Sequence, residues 1–184
     1  WEDFTGVDAI RILNTYQDKV CTFNDDIQGT AAIATAGFIS ISRLQGKPFT
    51  EQKFLFLGAG AAAFGIADML VHKFLKDGLT REEALQHVWM FDVNGLLVKS
   101  RTDLAEYQLQ FAYEAEPTTD FAEAVLMIKP TAIVGVSTVG GAFNQQVIEN
   151  MSLVNKQPII FPYSNPTSRS ECTAEQAYTW SKGK

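Results

Sequence analysis

Several features are scarce or absent in this 184-residue chain. There are only two cysteines, Cys21 and Cys172, far apart in sequence. Two distant cysteines make neither a disulfide framework nor a zinc site, and they read as free thiols in a reducing compartment. No run of basic residues occurs, and the net charge is −6, which argues against a nucleic-acid partner. No stretch of eighteen or more apolar residues is present, so no segment is expected to span a membrane. Internal repeats and low-complexity tracts are lacking too. Disorder is disfavoured, because 46% of residues are hydrophobic and only 20% are charged, enough apolar material for a core. The chain opens at Trp1 without an initiator methionine and stops at Lys184 just after a helical pattern. It is expected to be an internal piece of a longer protein, with any targeting segment outside it.

What the chain does have is alternation. Residues 7–19 carry an amphipathic helical pattern through Ile10, Leu13 and Tyr16, and residues 28–45 predict a second helix closed by Gly46 and Pro48. Short apolar strands are expected within 53–60, 87–92, 131–138 and 158–166. Helices are expected over 61–78, 80–86, about 143–151 and 173–180, with a polar, helical stretch before residue 131. Thr80 with Glu83, and Thr173 with Gln176, form capping-box patterns. Apolar strands alternating with helices imply an α/β fold: a doubly wound parallel sheet covered on both faces. Ligands in such folds gather beyond the carboxyl ends of the strands. The exit loops are Gly58–Ala61, Asp92–Gly95, Ser137–Gly141 and Ser164–Pro166.

Gly58-Ala59-Gly60-Ala61-Ala62-Ala63 fits G-x-G-x-x-A between a strand and a helix. Gly58 makes the turn, Gly60 admits a pyrophosphate to the backbone, and Ala63 lets helix and strand pack closely. Gly65 extends the bare face. Asp92, thirty-four residues after Gly58, ends the next strand and is placed to accept from adenine-ribose hydroxyls. That spacing exceeds the usual of about twenty, and the extra helix at 80–86 accounts for it. Asp92 also reads as a turn former ahead of Val93-Asn94-Gly95.

Two acidic pairs stand beside apolar residues: Glu2-Asp3 and Asp25-Asp26. Crowded carboxylates repel unless a cation compensates, and hard oxygen ligands suit Mg²⁺ or Mn²⁺. Surface acids and helix caps also explain such pairs, with Asp26 able to cap the helix at 28.

WEDF, CTFNDDIQGTAA, FLGAGAAAFGIA, FDVNGLLVKSR and IIFPYSNPTSRSECTAEQAY fall in one order along the chain. Together they resemble the malic enzymes, which oxidatively decarboxylate malate to pyruvate and CO₂ with NAD or NADP. The resemblance implies two regions. Residues 1–24 would be the tail of a malate- and metal-binding domain. Residues 25–184 would be a Rossmann-type NAD(P)-binding domain, truncated at its carboxyl end. It implies metal ligation (Mg²⁺ or Mn²⁺) by Glu2, Asp3 and Asp26, and a hydrogen bond accepted by Asp25 from a catalytic lysine outside the chain. The cofactor would be held by Asp26, Gly58, Ala59, Gly60, Ala61, Ala63 and Asp92, with Asn165 touching both substrate and nicotinamide. It also implies a homo-oligomer, dimer or tetramer, acting inside the cell in cytoplasm or mitochondrial matrix. Ala61 departs from the family's usual Glu. The family's catalytic tyrosine and lysine have no counterpart here, so the chain alone is expected to be inactive. NADP-preferring members carry Ser-Lys after the ribose aspartate and a lysine further on. Here Val93-Asn94 and Gln108 occupy those places, which favours NAD, while Lys99 and Arg101 keep NADP open. Two rivals stand beside this reading: malolactic decarboxylation, and a non-catalytic dinucleotide-binding module.

Overall fold

The computed structural model describes residues 1–184. It contains seven α-helices: α1 (Gly6–Tyr16), α2 (Thr30–Gln45), α3 (Ala61–Lys76), α4 (Arg81–Gln86), α5 (Phe121–Ile128), α6 (Gln145–Val154) and α7 (Ala174–Trp180). The strands are β1 (Phe54–Leu57), β2 (Val88–Asp92), β3 (Gly95–Leu96), β4 (Ala132–Gly135) and β5 (Ile159–Pro162). They form one sheet in the order β3-β2-β1-β4-β5. β1 pairs in parallel with β2 and β4, and β4 with β5.

The strands are apolar throughout because both faces are covered, yet alternation still sorts them. Phe54, Phe56, Val88, Met90, Ala132 and Val134 join a core cluster with Phe38 of α2 and Ile66, Leu70 and Phe74 of α3. Their neighbours Leu55, Phe91 and Ile133 point the other way, into a cluster with Val125 of α5 and Ile148 and Met151 of α6. Successive strand residues face opposite sides, so one apolar run feeds both cores. The chain thus folds as the expected Rossmann-type α/β domain.

Several expectations are corrected. The sheet is mixed, not wholly parallel: β3 pairs antiparallel with β2, Asp92 opposite Gly95. The Asp92–Gly95 segment is therefore a hairpin turn and not an open crossover loop. Residues 25–29 form a single π-helical turn before α2 begins at Thr30. The stretch before residue 131 is not one helix. It holds a 3₁₀ turn (Glu106–Phe111) and the apolar α5, capped by Asp120, whose carboxylate accepts from the N–H groups of Ala122 and Glu123. Both capping boxes, Thr80/Glu83 and Thr173/Gln176, form as expected.

The order places β1 at the centre. From β1 the chain moves outward to β2, then returns past β1 to β4. The crevice between the carboxyl ends of β1 and β4 is the topological switch point where ligands bind in such sheets. At the opposite margin β5 is outermost. The N–H groups of Ile159 and of Tyr163, the residue after its end, donate inward to the carbonyls of Thr131 and Gly135, at 3.1 and 2.8 Å.

Candidate cofactor site at the switch point

Gly58 leaves β1 at φ +115°, a backbone region that L side chains rarely adopt. A Cβ there would lie 2.5 Å from the carbonyl oxygen of Val136, so the turn lies directly against the exit of β4. Gly60 is different: its backbone is extended, and a Cβ there would meet nothing within 4 Å. The open space over Gly60 is where a ligand can approach the chain. α3 starts immediately afterwards with no side chain capping its first turn. Its leading N–H groups and positive dipole end are left for an anion.

The turn is braced from outside. The Ala59 carbonyl accepts two hydrogen bonds, from the Tyr107 hydroxyl at 3.1 Å and from Gln108 Nε2 at 3.0 Å. Gln108 is buried and its Oε1 accepts from the Ala105 N–H. Its side chain is committed to the turn and is not free to read a cofactor phosphate. Burial, with a lesser effect of Asp92, raises the Tyr107 pKa and keeps it a neutral donor. Gly65 does not extend the bare face. It is buried on α3, and a Cβ there would lie 2.3 Å from the Ile27 carbonyl oxygen, so it serves the crossing of α3 over the π-helical turn. Ala63 is buried in the same layer, in keeping with the close helix–strand packing expected of it.

Asp92 is engaged rather than free. Its carboxylate takes a bidentate pair from the Arg101 guanidinium, with both N···O distances 2.8 Å, and a third hydrogen bond from the Asn94 N–H. Arg101 also grips Asp103 and donates to the Gly95 carbonyl. Those bonds, Asp103 first, raise the Arg101 pKa, and Arg101 with Asn94 holds the Asp103 carboxyl well below the usual carboxylate range. Sequence reasoning noticed Arg101 but not this pairing.

The acidic pairs come together only in part. Asn24, not Asp26, caps the π-helical turn, accepting from the Ile27 N–H at 2.7 Å. That leaves both aspartate side chains free of capping duty. The Asp3 N–H donates to Asp26 Oδ2 at 2.8 Å, and the Asn24 side chain donates to the Trp1 carbonyl, bringing the WEDF segment beside Asp26. Glu2, Asp3 and Asp25 are exposed and Asp26 half-buried. Their carboxylates do not converge: no group of three acidic, histidine or cysteine side chains is positioned to hold a metal ion. The residues present do not form the Mg²⁺ or Mn²⁺ site that the resemblance implied. Contiguity in sequence brought one backbone N–H to Asp26, not two further carboxylates.

On the other flank, the loops after β4 and β5 are stitched together. Asn165, exposed in the loop after β5, follows Ser164. The Ser164 hydroxyl accepts from the Thr138 N–H at 2.9 Å and lies 2.6 Å from the buried carboxylate of Glu171. Sequence reasoning passed over Glu171. The available signal was Gly135, a glycine in a buried apolar strand, where a Cβ would overlap the Glu171 carboxyl carbon at 2.4 Å.

Residues 27–184 match the sequence profile of the malic enzyme NAD-binding domain. The chain is 46% identical over 183 residues to the mitochondrial NAD-dependent malic enzyme of Ascaris suum, covering all of this chain and 28% of that one. It is 46% identical over 184 residues to the NADP-dependent malic enzyme of Homo sapiens, covering 32% of it. Among solved structures, the NAD-dependent malic enzyme of Thermotoga maritima superposes with a TM-score of 0.76 at 28% identity, over 97% of this chain and 45% of that one. The malic enzyme of Pyrococcus horikoshii gives 0.76 at 25%, over 97% and 41%. The chain therefore spans about a third of the length of these curated relatives, and across that span it belongs to the malic enzyme family.

Proposed function

We propose that this chain is the cofactor-binding part of an enzyme that oxidatively decarboxylates malate to pyruvate and CO₂ with NAD⁺ or NADP⁺. The observation that carries the reading is the open approach over Gly60. It lies at the switch point, ahead of an uncapped helix, in a member of this family. Gly58, Ala59, Gly60 and Ala61 would cradle the diphosphate on the leading N–H groups of α3. Tyr107 and Gln108 keep the turn rigid by holding the Ala59 carbonyl. The bound nicotinamide supplies the hydride acceptor. Asn165, on the β5 exit loop, would orient malate and the nicotinamide. Asp25 would serve the supporting role the resemblance gives it. Residues 1–24 would belong to the neighbouring malate-binding domain, and the intact enzyme would be a homo-oligomer.

Charge favours NAD. A 2′-phosphate needs cationic donors. Arg101, the cation beside the proposed ribose aspartate, is already held by two carboxylates, Asp92 and Asp103. Lys99 is exposed and turned toward Glu114, at 3.7 Å. Extra negative charge there would meet net acidity.

The test is the initial rate of malate-dependent NAD⁺ and NADP⁺ reduction by the intact protein, with products identified. Pyruvate formed with NADH release supports the proposal. Lactate would move the reading to malolactic chemistry, and cofactor binding without turnover would leave a binding module.

A further inference from the structure

Glu171 has no solvent exposure and no cationic partner, yet its carboxylate is surrounded by donors. Oε1 accepts from the Ser137 N–H at 3.0 Å, the Ser137 hydroxyl at 2.8 Å and the Ser164 hydroxyl at 2.6 Å. Oε2 faces the Ser164 N–H at 3.3 Å. The proton directions are fixed by the rest of the network. The Ser137 hydroxyl accepts from the Val139 N–H and the Ser164 hydroxyl from the Thr138 N–H. Each hydroxyl therefore has its single proton left for Glu171. One buried carboxylate thus fastens the loop after β4 to the loop after β5.

Space was made for it. Gly135, buried in β4, is bare where the Glu171 side chain crosses. The backbone adds further stitches: Gly141 N–H to the Ser170 carbonyl and Phe143 N–H to the Glu171 carbonyl, each 3.0 Å. The fastened loop holds Thr138 at φ +59°, an unfavourable region for a β-branched residue. Such a conformation persists only where the surroundings over-determine it. Two consequences follow: the Ser137–Val139 wall of the switch-point crevice is set, and so is the root of the loop bearing Asn165.

We propose that Glu171 is a positioning residue for the reaction: through Ser137 and Ser164 it fixes the β4 exit wall and Asn165 relative to each other. This rests on the cofactor and substrate reading above. Buried donors left without their acceptor rearrange, and a misplacement of about 1 Å at a reacting centre costs on the order of 10²-fold in rate.

The test uses the intact enzyme with Glu171→Gln, Glu171→Ala and Ser164→Ala. Steady-state kinetics are combined with the primary isotope effect of malate deuterated at C2 and with amide hydrogen exchange. Glu171→Ala is expected to lose about 100-fold in kcat, with the NAD⁺ KM changed far less, because the diphosphate turn belongs to β1. Hydride transfer becomes rate-limiting and the isotope effect grows. Glu171→Gln, which retains an oxygen for three of the four donors, recovers part of the rate. Ser164→Ala, which removes the hydroxyl's bond to Glu171 and its acceptance from the Thr138 N–H but leaves the Ser137 bonds and the core in place, falls between. In each variant the amides of Ser137–Val139 and of Ser164 exchange faster together. A purely structural role would lower the folded fraction and leave kcat and the isotope effect per folded molecule unchanged, and that result overturns the proposal. So does unchanged exchange in both loops. If the parent enzyme turns over no malate, the functional reading fails, and the exchange measurement still decides whether Glu171 fastens the loops.

Discussion

Gly58 and Gly60 stand two residues apart in one turn, and the structure assigns them opposite sensitivities. Gly58→Ala adds a methyl group at φ +115°, 2.5 Å from the Val136 carbonyl oxygen, which belongs to the backbone leaving β4. Backbone strain there costs about 1–3 kcal/mol and the overlap another 1–3 kcal/mol. Stability should fall by about 2–6 kcal/mol, a drop in Tm of roughly 5–20 °C for a chain of this size. Gly60→Ala meets nothing within 4 Å at an extended backbone position. Stability should stay within about 1 kcal/mol of the parent, since the stiffer unfolded chain offsets a slightly poorer helix cap. The added methyl then occupies the approach of the diphosphate. An overlap of about 1–3 kcal/mol raises the Kd for NAD⁺ roughly 5- to 150-fold. Urea or thermal unfolding and a calorimetric NAD⁺ titration of both variants read the two effects separately. A Gly58→Ala protein that melts with the parent, or a Gly60→Ala protein that binds NAD⁺ as the parent does, would refute the reasoning.

Arg101→Ala should weaken the acid limb of the stability curve. Asp103, with its pKa lowered by Arg101 and Asn94, stabilises the fold above the ordinary carboxylate range, and that contribution is lost as pH falls through its depressed value. Unfolding midpoints across pH 2–6 check this: the variant's profile should be flatter, and an unchanged slope would count against the pairing. Cys172, buried and beside Glu171, has its thiol pushed up to about 11, so a thiol reagent at pH 8 should label exposed Cys21 and spare Cys172 until the chain unfolds. Equal labelling of both in the folded protein would contradict the burial. Mn²⁺ titration of the intact protein and of Asp26→Asn examines the metal role that the resemblance implied. Affinity lost in the variant would assign Asp26 to an ion completed by other parts of the enzyme, and equal affinity would remove Asp26 from the ligand set.

The sheet and most helices were legible because four apolar strands, each followed by turn residues, leave a strong pattern even when both faces are buried. The glycine turn was legible for the same reason: Gly58 and Gly60 mark backbone needs. What stayed hidden depends on contacts distant in sequence or too short to leave a period. β3 is two residues long. The π-helical turn adds one local bonding pattern within an otherwise helical signal, so Asn24 gave no sign of displacing Asp26 as the cap. The Asp92–Arg101 pair joins a strand end to a loop nine residues on, and an isolated aspartate at a strand end reads as free. Glu171 looked like one more acid before a helix, since its burial follows from the crossing over Gly135. The acidic pairs were legible as neighbours of one another in the fold, since the WEDF segment does reach Asp26, but which way their carboxylates point was not.

The outward side of β5 has a consequence for strand pairing. Ile159 and Tyr163 send their N–H groups to β4, so by alternation positions 158, 160 and 162 face outward. Two of these are Pro158 and Pro162, which have no N–H. The outward side of β5 thus offers one backbone donor, Ile160, between two prolines. Any strand laid along β5, from the same polypeptide or another, finds a single N–H to accept from, so pairing on that side must lean on the β5 carbonyls and on side-chain packing.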